Sequence, residues 1–178
     1  MFSWATQQLD ALGVNTQAIQ ELVESVAPVA GPEQRFASAL VQGDQATVMY
    51  ALNSGELNMN ATLNQSSGSR LIHVASANNS RQVIDYLISQ NVSVDTFDSQ
   101  GDVPLHYAAK NGHIDLVKLF VSLGASVRIK NARGKMPYDV CERHQYVRQF
   151  LLPIQLQAET EEQARNGTLD PRISADSR

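Results

Sequence analysis

Asp98-Ser99-Gln100-Gly101-Asp102-Val103-Pro104-Leu105-His106-Tyr107-Ala108-Ala109-Lys110-Asn111-Gly112-His113, followed by Ile114-Asp115-Leu116-Val117-Lys118-Leu119, is the stretch whose reading decides the fold. Asp98-Ser99-Gln100-Gly101 is a turn with glycine at its tight end. Pro104 suits the first turn of a helix, where its missing N–H costs nothing. Leu105, Ala108 and Ala109 give that short helix an apolar, partly very small surface, so a neighbouring helix can approach closely. Asn111-Gly112-His113 closes it and turns the chain. Ile114, Leu116, Val117, Leu119, Phe120 and Val121 are the apolar positions of a second helix, which Gly124 ends. One such pair cannot bury its own faces; several stacked pairs make one continuous core.

The pair recurs. Gly68, Gly101 and Gly134 are 33 residues apart, and between them Leu71-Ile72-His73-Val74-Ala75 falls on Pro104-Leu105-His106-Tyr107-Ala108 without a gap. Met136-Pro137-Tyr138-Asp139-Val140-Cys141 falls on Val103 to Ala108. Upstream, Gly43-Asp44 and Gly55 fall on Gly112-His113 and Gly124, with about three extra residues needed around Asn60 to Gln65.

Taken together, the turn, the Pro104-Leu105-His106 start, the Asn111-Gly112-His113 link and Leu123-Gly124-Ala125 resemble a near-consensus ankyrin repeat, with Val103 in place of the usual threonine. The resemblance spans roughly residues 33 to 152. It implies an all-α ankyrin-repeat solenoid of about four helix-pair repeats, with protruding β-turn or hairpin fingers and a concave face that binds another protein. The expected organisation is an N-terminal segment over 1–31, units at 32–63, 64–97, 98–130 and 131–152, and a polar tail over 153–178. That tail is expected to be helical in part and then disordered. The inner two units are full repeats and the outer two read as caps, with one face of each toward water. In the last unit Asp139 stands where the histidine belongs, and Pro153 is expected to cut the second helix short.

A chain of 178 residues with a net charge of -4 is drawn globally to neither nucleic acid nor anionic membrane. One cysteine, Cys141, excludes an internal disulfide framework and fits a reducing compartment. No apolar run approaches the roughly 18 residues of a bilayer span. The first ten residues lack a signal peptide's basic and apolar regions, so the expected location is cytoplasmic. Phe2, Ala5, Leu9 and Leu12 recur at helical spacing beside Trp4, as do Ile19, Leu22, Val23 and Val26. These segments either cover the apolar end of the first repeat or, with Phe2, Trp4, Leu9 and Leu12 free, insert into a membrane or a partner's groove. The second alternative describes a membrane-associated trafficking or tethering factor.

No catalytic constellation is found. His73 and His106 take the repeat's structural histidine position, His113 belongs to a turn, and Cys141 replaces a small core alanine. Cys141 and His144, three residues apart, are too few for a structural zinc. Neither a phosphate-cradling loop nor a nucleophile motif is present, so no cofactor, metal or enzymatic activity is expected. Residues 110–148 hold eight lysines and arginines against three carboxylates. Arg128, Lys130, Arg133 and Lys135 share one predicted finger, which would steer an acidic segment of a partner protein. Phe97 is an aromatic anchor on the preceding finger. Asn78, Lys110 and Asn111 are expected to face the groove from the inner helices, and Ser67, Ser99, Gln100 and Asp102 to lie on the other fingers.

Overall fold

Gly68, Gly101 and Gly134 all adopt a left-handed backbone, with φ of 63°, 71° and 72°. Only glycine enters that region without penalty, and each of the three closes the turn ahead of a helix pair. In the computed structural model, which describes residues 32–165, four helix pairs follow one another. They are α1 (Pro32–Val41) with α2 (Gln45–Ser54), α3 (Leu71–Ala77) with α4 (Arg81–Ser89), α5 (Pro104–Lys110) with α6 (Ile114–Ser122), and α7 (Pro137–Val140) with α8 (Gln145–Arg165). The readings placed on residues 1–31, including Phe2, Trp4, Leu9 and Leu12, and on residues beyond 165 lie outside the described residues.

The last three pairs are opened by the same device. Val103, extended at φ -98° and ψ 164°, precedes α5, and Pro104 sits in its first turn. The Val103 N–H donates to Nδ1 of His106 at 3.3 Å, and the Arg70 N–H donates to Nδ1 of His73 at 3.1 Å. In the last pair the Met136 N–H donates to Oδ2 of Asp139 at 2.8 Å. A carboxylate therefore performs the helix-opening half of the histidine's work. The other half points forward. Nε2–H of His73 donates to the Thr96 carbonyl at 2.8 Å, and Nε2–H of His106 donates to the Lys135 carbonyl at 3.0 Å, each in the next finger.

Leu71 stands where the pattern calls for proline because its N–H is in use, donating to the Ala61 carbonyl at 2.9 Å. That bond ties down the base of the first finger, in which β1 (Thr62–Asn64) and β2 (Ser69–Arg70) pair antiparallel, with an irregularity between Thr62 and Asn64. The extra residues near 60–65 form this longer hairpin. Asn79 and Asn91, at φ 54° and 60°, replace the left-handed glycines of the neighbouring repeat. Asparagine tolerates that conformation better than any branched residue.

The core runs unbroken through the stack. Ala75, Ala108 and Ala109 on the first helices, and Cys141 at the C-terminal cap of α7, are fully buried, and the first helices pack closely on one another. The second helices contribute Val48, Ile84, Leu87, Leu116, Phe120, Val147 and Leu151, all buried. Larger side chains on one side and alanines on the other hold the second helices further apart than the first.

One expectation is corrected. The second helix of the last unit does not stop before Pro153: the 21-residue α8 runs through it to Arg165, so the boundary drawn at 152/153 falls inside a helix. A proline in a helix interior removes one backbone bond and costs about 3 kcal/mol in isolation. Val147, Leu151, Ile154 and Ala158 nevertheless recur at helical spacing on the core side, buried or packed against it. That continuous apolar face, with Arg128 bonded to the far half of the helix, outweighs the single missing bond.

Candidate functional site

The fingers between the helix pairs are stitched to one another by backbone. The Ser99 N–H donates to the Ser67 carbonyl at 3.0 Å, and the Ala132 N–H donates to the Gln100 carbonyl at 2.7 Å. Within the second finger Oδ1 of Asp98 accepts the N–H groups of Gln100 (2.8 Å) and Asp102 (2.9 Å). Asn131, 33 residues on, accepts those of Arg133 and Lys135, both at 3.0 Å, in the third. A side-chain oxygen thus shapes each turn. The approach is close: a Cβ on Gly68 would lie 2.4 Å from Oγ of Ser99.

Tyr107 locks α5 to this comb. Its hydroxyl donates to Oδ2 of Asp98 at 2.6 Å and lies 2.8 Å from Oγ of Ser69, and its ring meets His73 edge-on at 5.6 Å. Burial, together with the adjacent Asp98 carboxylate, pushes the phenol up to about 12. Burial also holds His73 and His106 below the ordinary imidazole value. Both rings use Nδ1 as an acceptor, which only the neutral ring can offer. Cys141 is buried, its thiol donating to the Tyr138 carbonyl at 3.1 Å, and burial pushes its ionisation up. A nucleophilic cysteine requires the opposite shift.

In front of α5 and α7, under the third finger, lies a groove of about 510 Å³. Lys110 and Asn111 line it from α5, Arg133 and Lys135 from the finger, and Arg143 and His144 from the turn after α7. A recess of about 220 Å³ adjoins it, sharing Lys110 and Arg133 and reaching Gln100. The groove's four cations face two carboxylates, and both of these are engaged: Asp139 with the Met136 N–H, and Glu142 with Lys135 at 3.4 Å. Arg133 also lies 3.6 Å from Asp102. Lys110 and Arg143 form no ion pair among the described residues. A concave site with surplus positive charge attracts anionic groups and speeds their arrival.

The candidates from the sequence separate into three sets. Lys110, Asn111, Arg133, Lys135 and Gln100 are brought together along the groove and its recess, and Asp102 lines the recess as well. Asn111 is exposed, with its amide donating to the Tyr107 carbonyl at 3.1 Å. Phe97, Ser99 and Lys130 are exposed but do not line the groove; Phe97 shows 54% of its surface. Ser67 is half-buried with its hydroxyl 2.7 Å from that of Ser69, and Asn78 caps α3 by donating to the Val74 carbonyl at 2.8 Å, one unit away.

Two placements differ from expectation. Asp102 is only 8% exposed, and its Oδ1 accepts a bond from Nδ2 of Asn131 at 2.7 Å, so it serves as a rivet between fingers. Arg128 does not join the basic finger's exposed cluster. It pairs with Glu162 and donates to the Ala158 carbonyl at 3.4 Å, held against α8. Arg143 and His144 were not singled out as binding residues. Arg143 had a signal, as part of the same run of cations. The signal for His144 was its register: its ring sits where a Cβ on Gly112 would come within 2.3 Å of Nδ1.

No helix among the described residues is long and apolar enough to cross a membrane. No curated protein matches the chain in sequence. The family model for ankyrin repeats, three copies, matches residues 35–131, which takes in the first three helix pairs and ends before the fourth. That match covers more than half of the chain. The chain belongs to the ankyrin-repeat family, whose repeats are in general protein–protein interaction modules.

Proposed function

We propose that the chain is a non-catalytic recruiting module, an adaptor or regulatory subunit, that takes an acidic segment of a partner protein into the groove between α5, α7 and the third finger. The observation that supports this reading is the groove's composition: Lys110, Arg133, Lys135 and Arg143 face one cavity in which both carboxylates are already bonded. Phe97 and Ser99, exposed on the neighbouring finger, offer an apolar and a polar contact where a longer partner would extend. Aromatic anchors beside charged groups are the usual sources of interface energy. A rigid comb of fingers also spares the partner the cost of ordering its receptor.

The test is a charge reversal, Lys110→Glu with Arg133→Glu, in the full chain. Partners captured from a lysate and identified by mass spectrometry are titrated against both proteins at low and high salt. The expected result is at least about a tenfold loss of affinity and a flatter salt dependence in the variant. Equal affinity and equal salt dependence would remove the groove as the binding site.

A further inference from the structure

The exposed face of α8 differs from those of the inner second helices. Between Gln145 and Thr160 eight positions are exposed, and none carries a charge. On α4 the exposed face includes Arg81 and Asp85, and on α6 Asp115 and Lys118. Along α8, Tyr146 (82% exposed), Gln149, Pro153, Leu156 (51%) and Thr160 follow one another at spacings of three and four, and Leu152 (41%) flanks them. This is the spacing that places side chains along one seam of a helix facing another helix. The seam is about 21 Å long. Arg148 and Glu159, of opposite sign and only half-exposed, are the charged residues of this stretch, and the next exposed charge is Glu161.

We propose that this seam is a self-association surface, on which α8 of a second copy of this chain packs about a two-fold axis. The lack of charge selects that occupant. In a two-fold contact each patch meets itself, so any net charge on it faces a like charge. A chain of net charge -4 brings least repulsion to such a meeting through a strip whose exposed positions are uncharged and whose two half-exposed charges, Arg148 and Glu159, cancel. A partner of opposite charge would not favour a neutral strip. The exposed positions of α2 are also uncharged, but that helix has ten residues and presents a single large apolar side chain, Tyr50. It offers a poorer seam, and a contact of α8 with α2 would propagate head to tail instead of closing. The strip is small beside the roughly 800 Å² per partner of a standard interface, so the dimer is a weak one. Its consequence is bivalence: two basic grooves on one particle hold a partner with two acidic segments far more tightly than one groove does.

Sedimentation velocity on the full chain, from about 5 to about 500 µM, tests this, since weak interfaces populate only at high concentration. The expected result is a mass that rises toward twice the monomer and stops there. Leu156→Glu, and separately Tyr146→Glu, raise the dissociation constant at least about tenfold, while Tyr50→Glu leaves it unchanged. Both seam side chains are exposed, and circular dichroism of the variants verifies that their folds are intact. A chain that stays monomeric throughout overturns the proposal. So does a dimer that both seam variants retain, and so does assembly beyond the dimer or its loss in Tyr50→Glu, which would mark head-to-tail stacking. No groove residue is altered, so the outcome is independent of the acidic-partner reading.

Discussion

The third helix pair, α5 with α6, and the fourth, α7 with α8, begin alike and end differently. Both start with a left-handed glycine, an extended residue, a proline in the first turn and a side chain that accepts the N–H of the preceding residue. After that the third pair has helices of seven and nine residues, the fourth of four and 21. The histidine of the third pair bonds backward to its own helix start and forward to the next finger. The fourth pair has no further finger among the described residues, and a carboxylate that bonds only backward suffices. The consensus side chain is thus a connector between repeats, and its replacement marks where the connection stops. The long α8 then packs Val147 and Leu151 into the core and leaves its outer face exposed.

Breaking the connector should give the largest effect. His106→Ala leaves the Val103 N–H and the Lys135 carbonyl without their partners in a buried place and opens a cavity. The expected cost is about 2–4 kcal/mol. Asp139→Ala removes a single helix-opening bond, for about 1 kcal/mol. Urea denaturation of the two variants checks the difference. Equal losses would mean that the forward bond to the third finger contributes nothing.

The same two roles predict a dependence on pH. His73 and His106 are held below their ordinary value of 6.5, burial being the largest cause for each. Between the depressed native values and 6.5 the unfolded chain binds more protons than the folded one, so stability rises with pH there. As pH falls through about 6.5, each histidine is expected to remove up to about 1.4 kcal/mol per pH unit, levelling off below its native value. Protonation also destroys the Nδ1 acceptor that opens the helix. Denaturation midpoints measured between neutral and mildly acidic pH should shift downward in wild type, and less in His106→Ala. A flat profile in wild type would show that neither ring titrates against folding.

Much of this was legible because a repeat prints its own register. The equal spacing of Gly68, Gly101 and Gly134 located three turns, and the alanines of the first helices marked the tight side of the stack. What escaped depended on partners distant in sequence. Arg128 and Arg133 are five residues apart and look like one cluster, yet the chain turns over Asn131–Gly134, so that Arg128, before the turn, meets α8 and Arg133, within it, lines the groove. Asp102 reads as a polar finger residue until Asn131 arrives to meet it. Leu71 falls on Pro104 in the alignment, and the reason for the difference appears only with the Ala61 carbonyl beside it. Pro153 was a misweighted signal. Taken alone it is a stop, but Val147, Leu151, Ile154 and Ala158 had already carried the helical period across it.

That last point can be sharpened by Pro153→Ala. The proline is exposed on α8, so its ring fills no core space, and alanine restores the N–H that can donate to the Gln149 carbonyl. Helix propensity favours the change by up to about 3 kcal/mol. Against it, alanine frees the unfolded chain by about 0.4–1 kcal/mol, and a helix that already runs through the proline has absorbed part of the strain. A net gain of about 1 kcal/mol is expected, read as a higher denaturation midpoint with an unchanged slope. The slope carries the comparison between the two pairs. If packing of Leu151 and Ile154 holds α8 together through the proline, the same surface is buried in both proteins and the slope stays fixed. A steeper slope in Pro153→Ala would mean that residues after 153 fold onto the stack only once the proline is gone, and that the fourth pair ends where its sequence first suggested.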